Sequence, residues 1–271
     1  MQEKNIPIWK LNIYYKIFWK QEKNTPLIVI LHGWWGKSES WVKVWNLLQK
    51  QWFYIIIPDL PGFWKTKLRS ALTIEEYAII VENFLWELKI WKKQEIILWG
   101  HSNGWAISIK IANRKKINIS TLVLNNSAWI RNDKKRNIKR KIFKYASKII
   151  KNLFPSFKGK YPDRGYGLLN KFRIIFYKLI WSHDYLNAQK DPKLKQTYLN
   201  IISSDLREEI KSITQNTLIL WGEKDTYTPV SDGIYMRKHI KNAKMIIMEN
   251  EKHGIHIHSP ETLIHTFIHN L

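Results

Sequence analysis

The feature that most limits the fold of this chain is a series of short apolar runs, each closed by a loop. "LIVILHG" (27–33), "FYIIIPDLPG" (53–62), "EIILWG" (95–100), "NISTLVLNNSA" (118–128), "NTLILWGEKD" (216–225) and "AKMIIMEN" (243–250) all have strand length. Their apolar residues are continuous rather than alternating, as in strands buried on both faces. Helix-like stretches separate them. "SWVKVWNLLQK" (40–50) is one, and "TIEEYAIIVENFLWELKI" (73–90) is another, with Thr73 as N-cap and Glu76 three residues on. Near the start, "IWKLNIYYKIF" (8–18) alternates like one half-buried strand. Strands alternating with helices predict an α/β fold, a mainly parallel sheet with helices on both faces.

Residues 129–215 break this rhythm with a long, helix-like, basic stretch. It holds 21 Lys/Arg against 7 Asp/Glu, so +14 of the chain's +23 lies there. We expect a core of residues 1–128 and 215–271, with 129–214 inserted as a basic helical cap. A net charge of +23 suits an anionic partner, such as an acidic substrate or an anionic membrane surface. Compositional drift toward Lys, Ile and Asn explains the same charge and is the preferred reading. There is no cysteine, hence no disulfide or thiolate metal site. The first residues lack the pattern of a signal peptide, and no apolar run reaches the roughly 18–20 residues of a membrane span. A cytoplasmic protein is expected.

The chemistry centres on "LWGHSNGWA" (98–106), which contains Gly100-x-Ser102-x-Gly104 between a strand and a helix-like stretch. A serine hydroxyl is a poor nucleophile until a base takes its proton, and that base is a histidine oriented by a carboxylate. A tight strand-to-helix turn exposes the serine, and the helix N-terminus favours a developing oxyanion. Asp225 lies on the loop after "LILWG", and His253 follows the last strand. All three residues fall beyond strand C-terminal ends, where open α/β sheets bind ligands. The strand end "LVLNNSA" offers no competing carboxylate. His256 and His258 follow His253 closely, and His265 and His269 have helical spacing. No carboxylate or cysteine pattern accompanies these histidines, so a metal site is not expected.

Five segments together resemble the α/β-hydrolase superfamily, in its single-domain, esterase-like branch with a helical cap: "HGWWG" (32–36), "PDLPGFWKT" (58–66), "GHSNG" (100–104), "WGEKDTYTP" (221–229) and "HGIHIHSPE" (253–261). The resemblance spans 6–128 and 215–271, and the cap matches no motif. It implies an eight-stranded-type sheet, with Ser102 as nucleophile, His253 as general base and Asp225 as its orienter. His253 stands seven residues before Pro260, as in the family. The backbone N–H groups of Trp34 and Asn103 would form the oxyanion hole, and His32 would shape the loop carrying Trp34. The implied activity is cleavage of a carboxylic ester or related acyl bond in a small molecule, through an acyl-enzyme and without a cofactor. Ester, thioester, amide and C–C substrates all stay open, as does the oligomeric state. The alternative is a non-catalytic protein of this fold that grips an anionic partner, nucleic acid or membrane, through its basic cap. No recognised nucleic-acid module is present, so nucleic acid is not the expected partner.

Six tryptophans fall where the family commonly has glycine: Trp9, Trp19, Trp35, Trp52, Trp64 and Trp105. Trp41 and Trp221 fall where it often has tryptophan. Sites that take glycine need a positive φ or a close backbone approach. The expectation is such backbone at the six positions, in a chain whose UGA codons have been read as tryptophan in place of glycine.

Overall fold

A computed structural model describes residues 2–18, 26–90, 95–127, 188 and 190–271. Eight strands form one sheet: β1 (Gln2–Ile8), β2 (Leu11–Phe18), β3 (Leu27–Leu31), β4 (Tyr54–Pro58), β5 (Ile96–His101), β6 (Ile119–Asn125), β7 (Asn216–Gly222) and β8 (Ala243–Met248). Their spatial order is β1-β2-β4-β3-β5-β6-β7-β8. β2 runs antiparallel to both its neighbours, and β3 to β8 are mutually parallel.

Each central strand feeds two cores. In β3, Leu27, Val29 and Leu31 enter one apolar cluster, and Ile28 and Ile30 enter another on the opposite face. β5 divides the same way, Ile96 and Leu98 against Ile97 and Trp99. The first cluster is closed by α2 (Ile74–Glu87) and α3 (Gly104–Arg114), and the second by α1 (Val42–Lys50) and α8 (Pro260–Ile268). Full burial of each such side chain contributes roughly 1.5–3 kcal/mol, which is why the runs carry no polar face.

Between β6 and β7 the described helices are α4 (Pro192–Ser203) and α5 (Arg207–Lys211); α6 (Val230–His239) and the short α7 (Ile255–His258) complete the set. α4 is tied to the loop before α2, with the Leu72 amide donating to Thr197 Oγ1 and Asn200 Nδ2 to the Leu72 carbonyl. α5 is tied to α3 by a Lys110–Glu209 ion pair of 2.6 Å. These pieces of the expected cap therefore rest directly on the sheet domain. The strongly basic stretch 131–151 lies outside the described residues.

The start of the chain differs from expectation. Residues 8–18 are not one strand but the end of β1, a two-residue turn at Trp9–Lys10, and β2, with Ile8 paired to Leu11. Alternation continues unbroken through the turn in sequence, and no turn-forming residue marks it.

Candidate active site

Six parallel strands, β3 to β8, end on the same edge, and the loops beyond them converge. After β5 the chain turns sharply at Ser102, whose φ of 49° lies in the left-handed region. The Ser102 amide donates to the Asn125 carbonyl at the end of β6, and α3 begins two residues later. The turn is crowded: a Cβ on Gly104 would lie 2.2 Å from the Leu31 carbonyl oxygen. That is the physical demand behind the second glycine of Gly-x-Ser-x-Gly.

Asp225 follows β7 and is buried among donors. The Tyr227 and Thr228 amides donate to Oδ1 at 2.8 and 2.9 Å. Thr228 Oγ1 and Asn126 Nδ2 donate to Oδ2, each at 2.6 Å. His253, on the loop after β8, donates from Nδ1 to Oδ2 at 2.7 Å. Burial alone would raise the Asp225 pKa. The His253, Thr228 and Asn126 hydrogen bonds outweigh it and hold the carboxyl below its usual range.

The structure thus brings Asp225 and His253 into direct contact. Ser102 adjoins His101, whose ring centroid is 5.0 Å from that of His253. Among the described residues the Ser102 hydroxyl makes no side-chain hydrogen bond, and such bonds often tighten only with substrate present.

The loop 32–36 lies against the serine, since a Cβ on Gly33 would approach Ser102 Cβ to 2.7 Å. Among the described residues the backbone N–H groups of Trp34 and Asn103 go to no protein acceptor. Asn103 is the N-cap of α3, so its amide also carries the positive end of that helix. His32 is buried and fixed in one tautomer: Nε2 accepts from the Leu60 amide at 2.9 Å, and Nδ1 donates to the Gly33 carbonyl at 2.8 Å. It shapes the loop, as expected. Asp59 joins the same scaffold by accepting from the Ser38 amide at 2.7 Å. An aromatic wall stands beside the loop, with the Trp34 ring 4.9 Å from Phe63 and 5.2 Å from Tyr198.

Beneath His253 lies a histidine stack. His256 stacks on Trp41 at 4.3 Å and sits 4.4 Å from His101. Burial drives the His101 pKa well below its usual value and that of His256 down to about 3, so both rings are neutral. Among the described residues no group of three or more His, Cys, Asp or Glu is placed to hold a metal ion.

Sequence reasoning missed Asn126, Thr228 and His101. The Asn125–Asn126 pair at the end of β6 was a usable signal, because an amide there faces the carboxylate beyond β7. A reading that looks for a carboxylate at that strand end passes over it, because an amide does not titrate.

Trp99 and Trp105, which flank the motif, are both buried: Trp99 packs on Phe267 at 4.8 Å, and Trp105 joins the core on the α3 side. Trp105 stands in the first turn of α3 without a positive φ, but its backbone is closely approached, since a Cβ on Gly100 would lie 2.6 Å from the Trp105 Cα. Trp19 lies outside the described residues.

Comparison with known proteins agrees with this fold. The family model described as "alpha/beta hydrolase fold" matches residues 26–260. The chain is 23% identical to proline iminopeptidase PfmaB of Pestalotiopsis fici, over 89% of this chain and 90% of the relative. It is 22% identical to the pimeloyl-[acyl-carrier protein] methyl ester esterase of Nitrosomonas europaea, over 90% and 95%. Among solved structures, a putative lipase from Acinetobacter baumannii superposes with a TM-score of 0.71 at 20% identity, covering 98% of this chain and 89% of that one. No described helix is long and apolar enough to cross a membrane.

Proposed function

The chain belongs to the α/β-hydrolase family and is a hydrolase, and from that premise we propose that it cleaves carboxylic esters or related acyl bonds through an acyl-enzyme on Ser102. The observation that carries this reading is the Asp225–His253 contact at 2.7 Å, on the same sheet edge as the serine turn. Asp225 fixes Nδ1 as the protonated nitrogen and leaves Nε2 as the basic one. His253 takes the Ser102 proton as Oγ attacks the acyl carbon. The oxyanion that forms is received by the N–H groups of Trp34 and Asn103. His253 then protonates the leaving alcohol, and a water activated by the same ring releases the acid and restores Ser102. The similarity to esterases and lipases supports an acyl substrate, and the aromatic wall of Trp34, Phe63 and Tyr198 suits its apolar part.

Mass spectrometry after treatment with a fluorophosphonate is the direct test. The label is expected on Ser102, and turnover of nitrophenyl acetate or butyrate is expected to vanish in Ser102→Ala and His253→Ala. A label elsewhere, or activity surviving in either variant, overturns the assignment. A panel of esters, thioesters and amides then defines the substrate.

The alternative to compositional drift for the excess of +14 over residues 129–215 is a preference for acidic acyl substrates or an anionic surface. Replacing Lys134, Lys135 and Arg136 by serine is expected to raise KM for acidic esters and leave neutral ones unchanged. Equal effects on both return the charge to compositional drift.

A further inference from the structure

We infer that the natural protein carries glycine, not tryptophan, at positions 9, 35, 52 and 64. Backbone stereochemistry carries this inference, and it holds whatever the substrate. Four of the eleven described tryptophans have positive φ: Trp9 (51°), Trp35 (58°), Trp52 (63°) and Trp64 (47°). Only a few per cent of non-glycine residues adopt such angles, and a bulky side chain there is an outlier.

Each of the four stands at the glycine position of a recognisable turn. Trp9 is the first central residue of the two-residue β1–β2 hairpin, and Lys10 after it does not share the positive φ. That is the hairpin turn that calls for glycine first. Trp64 repeats the arrangement, as the first central residue between Phe63 and Thr66, which form an isolated antiparallel bridge closed by a 3.0 Å hydrogen bond. Trp35 is the third residue of the turn Gly33–Gly36, in which the Gly36 amide donates to the Gly33 carbonyl at 2.9 Å. A turn with positive φ only at its third residue is the type that requires glycine there.

Trp52 follows the C-cap of α1. Its amide donates to the Gln49 carbonyl at 3.0 Å, and the next amide, Phe53, donates to the Leu48 carbonyl at 3.3 Å. Those two bonds are the signature of a helix ended by a left-handed glycine. The apolar contact expected beneath that motif is present, since Leu48 and Phe53 belong to one cluster.

Burial gives no competing reason for indole at these sites. The four side chains are exposed, from 41% at Trp35 to 71% at Trp52. Trp41, Trp45, Trp99 and Trp221 behave in the opposite way, being buried to 1% or less without positive φ. Of the described tryptophans, these four are built into the core and the other four are laid over turn positions, while Trp34, Trp86 and Trp105 have no positive φ. Composition agrees: the chain has 11 glycines and 15 tryptophans, where average usage of about 7% would give roughly 19 glycines. A gene whose UGA codons specify glycine, translated as though UGA specified tryptophan, produces this pattern. At the active site, glycine at 35 and 64 removes the indole beside Phe63 (6.1 Å between centroids) and the one beneath the Lys37 ammonium (3.8 Å), which opens the rim near Trp34.

The gene is the test. UGA is expected at codons 9, 35, 52 and 64, and UGG at 41 and 221; UGG at any of the first four overturns the inference for that position. Peptide sequencing of the protein from its own cells is expected to show glycine at the four sites, and tryptophan there overturns it independently of the codon. In recombinant full-length protein, each of Trp9→Gly, Trp35→Gly, Trp52→Gly and Trp64→Gly is expected to raise the thermal midpoint by about 2–4 °C. Trp221→Gly, the control, is expected to lower it. Four substitutions that leave the midpoint unchanged or lower it refute the stereochemical argument.

Discussion

Asp225 accepts five hydrogen bonds, from the Tyr227 and Thr228 amides, the Thr228 hydroxyl, the Asn126 amide group and His253. Besides His253, Asn126 is the side-chain donor that comes from a different strand end, and its own φ is 45°. Its amide therefore fixes the loop beyond β7 to the end of β6 and sets where Asp225 points. A hydrogen bond to a charged group is worth about 1.5–3 kcal/mol, and loss of orientation at His253 is felt in the reaction step more than in binding. Asn126→Leu is expected to lower kcat for ester hydrolysis about tenfold with KM nearly unchanged; an unaltered kcat removes Asn126 from the machinery. Ser102, Asp225 and His253 were legible from chain order because each is a reactive type at a strand end. Asn126 was not, since its contribution exists only when two distant strand ends meet. The contribution proposed for Trp34 is a backbone N–H, which no side-chain identity announces; only the resemblance of "HGWWG" pointed to it.

α2 shows how an element becomes legible. Its capping box is written in side chains: Thr73 Oγ1 accepts from the Glu76 amide at 3.2 Å, and Glu76 Oε2 accepts from the Thr73 amide at 2.7 Å. The sequence pattern named both residues. Thr73→Ala is expected to cost about 1 kcal/mol in urea denaturation and to leave kcat/KM unaltered, because the cap lies outside the site. No loss of stability would mean that the helix start is held by its packing alone. The β1–β2 hairpin is the converse case. Its turn is made by backbone geometry at Trp9, and a tryptophan in that position hides the turn and lets two strands read as one. The end of α1 at Lys50 was read correctly even though Trp52 stands in the turn after it, because the apolar run of β4 begins just beyond. The β1–β2 hairpin was misread because no such change of pattern marks its turn.

At the scale of the whole molecule, the buried histidines set how stability depends on pH. His32, His101 and His256 are each buried, and burial is the main cause that lowers all three pKa values from the usual 6.5. Geometry gives the same sign for His32, whose Nε2 would lose its bond from the Leu60 amide on protonation. For His101 and His256, a proton on either ring would face the other, with His253 beside them. A base with a depressed folded pKa is unprotonated in the native state while its unfolded form takes up a proton below 6.5. Stability therefore falls as pH drops through 6.5, by about 1.4 kcal/mol per pH unit for each such histidine. The loss from His256 continues until its folded pKa, near 3. Asp225 acts in a separate and lower window: its folded pKa lies below the usual 3.8, so its contribution is present above that value and is lost only as pH falls through the folded one. Denaturant midpoints are thus expected to be flat near pH 8 and to fall between pH 6.5 and 5, above the window in which Asp225 acts. His256→Phe keeps a ring against Trp41 and removes one titration, so its stability is expected to fall less steeply by about 1.4 kcal/mol per pH unit in that window. A variant with the wild-type slope would show that His256 takes up its proton in the folded state, and would put the acid sensitivity elsewhere.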